Sequence, residues 1–463
     1  MLCKRSAVPY RVAFGRPPAV TAQAMVATSQ PLATAAGLRA FELGGNAADA
    51  VLAAAAMLCV TEPMWTGLGA DAFAQVWRDG ALEALDAAGP APAGAEPLEP
   101  VDLKGPRSVT VPGAVRGWQA LADRHSYLGL DAALVRAVDA AERGVAIAPR
   151  AAAAWERFDG PAELGPRPQV GERYRPADLA STLRLVAEHG PDALYTGRVA
   201  ESITSVTWLE EDDLAAYAAR WVEPLRKTYR GMEVTELPPP TQGVVALEGL
   251  GLLEPLEPTL PNQIASVRRA LADGFASVRD GADVSALLRG STTYLCAVDG
   301  DRMAVSFIQS LYDPFGSRVV APGTGILLQN RGAGFAISGR VEPGRRPYHT
   351  IIPGMLFRDG TLLGPFGIHG GLIQAQAHIQ FVSAVVDDGL DPQAALERPR
   401  FRVDPERVLL EEGLWDHEGE LDGLPAVREE DTFTFGGGQA IFVEDEALLG
   451  GSDPRKDGHA AGL

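Results

Sequence analysis

Cys3, Cys59 and Cys296 are the only cysteines in 463 residues, too few and too scattered for a disulfide framework, and none stands in a C-x-x-C pair. They point to a reducing compartment. Long apolar runs are also missing. The most hydrophobic stretch, Ala47 to Val60, is short and carries Asp49, so it reads as a buried helix and not as a membrane span. The opening MLCKRSAVPYRVAFGRPPAV has basic residues but no apolar core and no cleavage signal, so a cytoplasmic location is expected. Positive charge is scarce: 41 Lys and Arg against 60 Asp and Glu leave a net charge of -19. Such a field disfavours nucleic acid and anionic membranes as partners. No G-x-S-x-G supplies a nucleophile elbow. His125, His189, His369, His378, His417 and His459 lack H-E-x-x-H or other ligand spacing, so no metal and no cofactor are expected. Internal repeats are absent.

What is present is a soluble, globular composition, 46% hydrophobic and 22% charged, on a chain long enough for two or three domains or one large intertwined one. Its centre is Arg289 to Ser310, RGSTTYLCAVDGDRMAVSFIQS. Thr293 to Val298 is rich in strand formers, Gly300-Asp301 is a turn dipeptide, and Met303 to Ile308 is a second apolar run. Hairpin register then sets Thr292 roughly opposite Gln309 or Ser310. A hydroxyl at the start of a strand, faced by another, is a candidate nucleophile; threonine as an ordinary strand residue is the competing reading.

Around this hairpin the elements follow from caps and periodicity. Ser29 with Pro31 reads as the start of a helix that runs to Leu43, and Asn46 caps the next, Ala47 to Cys59. Trp65 to Ala70 is a glycine loop, its G-x-G a tight turn needing positive φ and not a phosphate cradle, feeding a strand from Ala72 to Trp77. Helices are expected at Leu134 to Ala146, Ala177 to Glu188 and Leu372 to Asp387, with a short one from Asp391-Pro392. Strands are expected near Leu363 and Phe401. Residues 1–24 read as irregular, residues 256–291 as an exposed hydrophilic linker, Arg345-Arg346 as a solvated pair and Cys296 as core.

Thr292-Thr293-Tyr294, Ala297-Val298-Asp299, Phe315-Gly316-Ser317 and Gly323 to Asn330 together resemble the small-subunit start of the γ-glutamyltranspeptidase family. Gln23 to Trp77, Val111-Pro112-Gly113, Gly117-Trp118 and Gly451 to Arg455 resemble other segments of the same family, in family order. The resemblance implies an α+β fold, the four-layer αββα sandwich of N-terminal-nucleophile hydrolases. It also implies a precursor that cuts itself between Ser291 and Thr292 into a large-subunit segment, 1–291, and a small-subunit segment, 292–463, sharing one core. The partners implied are these two fragments of one chain and a small-molecule amide, with a higher oligomer left open.

The implied roles follow residue by residue. Thr292 is the nucleophile and, once freed, supplies its own α-amine as base; that amine titrates near neutrality, at roughly 7.7–8.0. Ser310 hydrogen-bonds it, where the family has threonine, and Thr293 helps in processing. Gly370 and Gly371 stand where the oxyanion donors fall, at a helix start whose free N–H groups favour negative charge. The substrate positions depart from the family. Ala88 replaces the arginine that grips an α-carboxylate, and Gly334 replaces the acid that reads an α-amine. In their place stand Arg331, Tyr312, His349 and Thr350, with Arg331 the expected anchor for a carboxylate. This pattern resembles a divergent amidohydrolase branch that includes enzymes acting on oxamate. The expectation is hydrolysis of a small carboxylate-bearing amide, against two alternatives: a glutathione hydrolase or γ-glutamyltransferase, and a catalytically silent binding relative.

Overall fold

The runs Ser291–Val298 and Ala304–Tyr312 pair antiparallel across a turn whose Asp299 carboxylate accepts from the Asp301 and Met303 N–H groups. Its second oxygen accepts from Ala47 N, tying the turn to a helix start. In the computed structural model, which describes residues 15–99, 101–276, 291–337 and 339–463, this hairpin forms the middle of a seven-stranded antiparallel sheet. Met25–Thr28 and His459–Gly462 lie on one side of it, and Asp71–Arg78, Ala81–Ala87 and Arg220–Val222 on the other. A second seven-stranded sheet runs in the order Ala19–Thr21, Leu448–Ser452, Gly437–Val443, Thr361–His369, Gly354–Arg358, Met232–Glu236, Leu225–Tyr229.

Alternation along the strands decides what each face meets. Tyr294, Cys296 and Val298 point into the space between the sheets, with Phe73, Ile308, Met355 and Ile441. Leu295 and Ala297 point outward onto Pro31–Glu42, Ala47–Thr61 and Ala114–His125. Gly243–Leu253, Leu260–Ala276 and Ile373–Val386 cover the outer face of the other sheet. The order of layers is helix, sheet, sheet, helix: the α+β αββα sandwich. Both sheets take strands from either side of residue 292.

Several local expectations need correction. The cap of Pro31–Glu42 is Gln30, whose side chain accepts from Leu32 N and Ala33 N; Ser29 is turned elsewhere. The helix expected at Leu134 to Ala146 spans Leu130–Arg143, because Gly144 adopts φ 80° and Val145–Ala146 is a short strand. Residues 256–291 are not all linker. Leu260–Ala276 is a helix whose outer face carries Arg268, Arg269 and Asp273, while Ile264, Val267, Ala270 and Leu271 are buried. Residues 277–290 lie outside the described residues. The strand Gly354–Arg358 was missed, and Ala19–Thr21 adds an edge strand to a stretch read as irregular. Neither Gly67 nor Gly69 has positive φ. Gly69 is needed for close approach, since a Cβ there would lie 2.3 Å from the Leu327 carbonyl oxygen. Of the arginine pair only Arg345 is solvated; Arg346 is largely covered and donates to the Ala88 carbonyl at 2.5 Å.

Candidate active site

Thr292 enters its strand at an irregularity. Ser291 pairs with Tyr312 but Thr293 pairs with Gln309, so Thr292 alone opposes Ser310 and Leu311. The extra residue re-aims the side chains, and Thr292 Oγ1 donates to Ser310 Oγ at 3.1 Å. Ser310 Oγ also accepts from Tyr312 N at 2.8 Å. Gln374 Nε2 lies 3.4 Å from the Thr292 hydroxyl, and Gln374 Oε1 accepts from Ile352 N at 3.1 Å. Thr292 is 1% exposed, so its side chain lies beneath the surface.

Gly370 and Gly371 form the turn between Thr361–His369 and Ile373–Val386, at φ 136° and 72°, values open to glycine and strained for other residues. A Cβ on Gly370 would lie 2.6 Å from Ile373 Cγ2. The turn sits at the positive end of a 14-residue helix. Gln242 holds it in place: Nε2 donates to the Gly371 carbonyl at 3.0 Å and to the Thr350 carbonyl.

From Thr350 the network reaches Arg331, whose Nη1 lies 3.5 Å from Thr350 Oγ1 and whose guanidinium carbon lies 4.6 Å from the centre of the Tyr312 ring. Tyr312 adopts φ 80°, which costs a non-glycine residue energy. Arg331 is fully buried, and burial pulls its pKa down to about 10. Among the described residues, Nε and Nη2, the two donors along one edge of the guanidinium, have no hydrogen-bond partner.

Asp71, the cross-strand neighbour of Ser310, adjoins this network and was not anticipated. Its Oδ1 accepts from Gly89 N and Gly113 N, and its Oδ2 lies 3.6 Å from His349 Nε2. Burial raises its pKa to about 7, against the opposing pull of Arg331. Burial, and then Arg331 and Arg346, hold His349 neutral. The structure thus brings Thr292, Ser310, Tyr312, Arg331, Thr350 and Gly371 into one network, with His349 beside it through Asp71. Gly370 adjoins it in the same turn. Thr293 faces the other way, onto Glu62. Gly334 is closed in: a Cβ there would lie 2.3 Å from the Tyr348 carbonyl oxygen. Asp71, Gln242, Gln374 and Glu62 escaped the sequence reading. The signal that could have found the two glutamines is polarity inside apolar helix starts, since both are fully buried.

Among the described residues no helix is long and apolar enough to cross a membrane, and no cluster of His, Cys, Asp or Glu could hold a metal ion. Cys59 and Cys296 are buried thiols whose pKa values burial pushes up.

A strand that begins on a buried hydroxyl between two antiparallel sheets, with helices outside both, is the architecture of the N-terminal-nucleophile hydrolases. The sequence matches the Gamma-glutamyltranspeptidase family over residues 33–285 and 259–463. It is 30% identical to the glutathione hydrolase-like YwrD proenzyme of Bacillus subtilis, over 95% of this chain and 98% of that one. It is 31% identical to the oxamate amidohydrolase proenzyme of Klebsiella pneumoniae, over 82% and 85%. The fold superposes on a crystal structure of cephalosporin acylase from Bacillus halodurans with a TM-score of 0.88 and 36% identity, covering 100% of this chain and 99% of that one. The chain belongs to the γ-glutamyltranspeptidase family of self-processing enzymes and is an amide hydrolase.

Proposed function

We propose that the chain is a threonine amidohydrolase that activates itself by cutting between Ser291 and Thr292 and then hydrolyses a small carboxylate-bearing amide. The observation that carries this reading is Thr292 Oγ1 at the head of its strand, held between Ser310 Oγ and Gln374 Nε2. In the precursor the Thr292 oxygen attacks the Ser291 carbonyl. The C–N bond breaks as a C–O ester forms, and water hydrolyses the ester, leaving segments 1–291 and 292–463 in one core. The freed α-amine is then the base. It takes the proton as Thr292 Oγ attacks the substrate carbonyl, and returns it to the departing nitrogen. The N–H groups of the Gly370–Gly371 turn face the developing oxyanion. Water releases the acid from the acyl-threonine.

The substrate class rests on Arg331. Its free edge is the fork that meets a carboxylate through two parallel N–H···O bonds, and burial strengthens such a contact. Thr350 steadies Nη1, Tyr312 lies against the guanidinium, and His349 is a buried neutral ring on which Arg331 acts. A γ-glutamyl grip of the family type is disfavoured, because Ala88 carries no charge and no side chain fits at position 334.

Denaturing electrophoresis with terminal sequencing tests the first half: two fragments, the smaller beginning Thr-Thr-Tyr. A single band that persists through long incubation overturns it. Release of ammonia or amine from oxamate, glutathione and γ-glutamyl-p-nitroanilide tests the second. A carboxylate-bearing amide other than the γ-glutamyl compounds is expected to turn over fastest, and an Arg331→Ala enzyme that hydrolyses it at the wild-type rate overturns the anchor.

A further inference from the structure

A second set of polar groups meets the nucleophile strand from its helix-facing side. Glu62, just past the end of Ala47–Thr61, is 3% exposed. Its Oε2 accepts from Thr293 Oγ1 at 2.9 Å and from Ser29 Oγ at 2.6 Å. The Glu62 carbonyl accepts from Trp65 N at 2.9 Å, and the Trp65 carbonyl accepts from Leu311 N at 3.0 Å. One residue therefore ties together three strand ends: Met25–Thr28 through Ser29, the nucleophile strand through Thr293, and the strand of Ser310 through Leu311. Hydroxyl bonds to a buried carboxylate are among the stronger ones a fold can make. None of the steps proposed for catalysis uses this one.

Lys456 stands beside the same group. Its Nζ lies 4.7 Å from the centre of the Trp65 ring and 5.7 Å from that of Phe433, and it is 5% exposed. Burial lowers its pKa to about 8, with Glu62 the strongest charge acting the other way. Burial raises the pKa of Glu62, Lys456 is the strongest charge pulling it back down, and Asp457 adds to the rise; Asp453, Asp457 and Arg150 act on Lys456 besides Glu62. His369, at the end of Thr361–His369, is held neutral by burial, Lys456 and Arg400 and adds no charge.

We propose that Glu62 is a positioning residue for the nucleophile: through Thr293 it fixes the head of the strand, and together with Lys456 it sets the charge around the α-amine that Thr292 exposes on cleavage. This rests on the reading of Thr292 as nucleophile. The freed amine belongs to the residue next to Thr293, and Glu62 and Lys456 act on it with opposite signs. A nearby carboxylate makes an ammonium hold its proton more tightly, and a nearby ammonium makes it let go. In a dry setting neither effect is lost to solvent screening.

The test is the acidic limb of kcat/KM against pH in processed enzyme, alongside the rate of self-cleavage. Glu62→Gln is expected to slow self-cleavage at least tenfold and to move the limb to lower pH, by about half a unit or more. Lys456→Met is expected to move the limb to higher pH. Glu62→Asp recovers part of the cleavage rate, and Thr293→Ser keeps more of it than Thr293→Val. Should Glu62→Gln yield no processed enzyme, Lys456→Met and the Thr293 pair carry the test. Limbs that stay in place, or that move in the same direction in both variants, overturn the proposal, as does a Glu62→Asp enzyme no faster than Glu62→Gln. Thr292→Ala separates the two readings. If that chain still cleaves itself, the nucleophile assignment falls and this proposal with it; if cleavage stops while the limbs stay unmoved, only this proposal falls.

Discussion

The buried charges around Asp453 and those around Arg331 differ in how completely they are paired. Around Asp453, Arg400, Arg455 and Glu411 are all paired. Arg400 Nη2 meets Asp453 Oδ2 at 2.6 Å, Arg455 Nη1 meets Asp453 Oδ1 at 3.1 Å, and Arg455 Nε meets Glu411 Oε1 at 2.6 Å. Gly438 N and Arg455 N add bonds to the same carboxylate. Among the described residues, Arg331 Nε and Nη2 and Asp71 Oδ2 have no hydrogen-bond partner, and Asp71 Oδ2 lies 3.6 Å from His349 Nε2. The pKa directions separate in the same way. Asp453 is held below the ordinary carboxylate range because its two arginines outweigh the cost of burial, and Asp71 is pushed up to about 7 because burial wins. A saturated cluster fastens the C-terminal segment to the helix Pro392–Glu397 and its neighbours. An unsaturated one beside a candidate nucleophile is suited to a ligand.

The largest effect expected is total. Thr292→Ala should abolish both self-cleavage and amide hydrolysis, read by electrophoresis and by amine release. Next come the arginines, which should part company. Arg331→Met should lower kcat/KM for a carboxylate-bearing substrate by about 100-fold or more while leaving thermal stability near the parent's, because no bonded carboxylate is left behind. Arg400→Met should instead destabilise the fold by about 3–5 kcal/mol, since it strips a fully buried carboxylate of its closest partner. If both variants lose stability equally, the contrast between the clusters is wrong.

The pH dependence of stability sharpens the contrast further, measured on a Thr292→Ala background so that the chain stays in one piece. The folded pKa of Asp71 exceeds its unfolded value of roughly 3.9. Its contribution is therefore fully present below that unfolded value and is lost as pH rises through about 7. The folded pKa of Asp453 is depressed. Its contribution is present above the unfolded value and is lost as pH falls through the folded one. Relative to the background, Asp71→Asn should flatten the decline towards neutral pH and Asp453→Asn the decline in acid. Same-sided changes would refute the assignment. The smallest effect is a control at a residue in neither cluster: Gln30→Ala removes a helix cap and should cost about 1 kcal/mol of thermal stability.

Much of this was legible beforehand, because it depends on neighbours in the chain. The capping box of Asn46 and Asp49 starts Ala47–Thr61, Asp391 with Pro392 starts Pro392–Glu397, and the alternation after Thr293 makes a strand with Cys296 in the core. The failures share a cause. Ser29 is a good cap residue locally, but a carboxylate 33 positions away claims its hydroxyl. Leu260–Ala276 looked like linker because charge on its outer face hides an apolar stripe that another helix layer covers. Asp71 read as one more strand residue until cross-strand pairing set it beside Ser310.

From residue order alone came the hairpin, the glycine turn at 370–371 and the threonine at the head of a strand. Those rest on backbone preferences and on spacing, which act over a few residues. Which of the described buried charges found partners, and which did not, was decided only when strands distant in sequence came side by side. Desolvation and hydrogen bonding depend on what lies within a few ångströms, and the order of residues does not carry that distance.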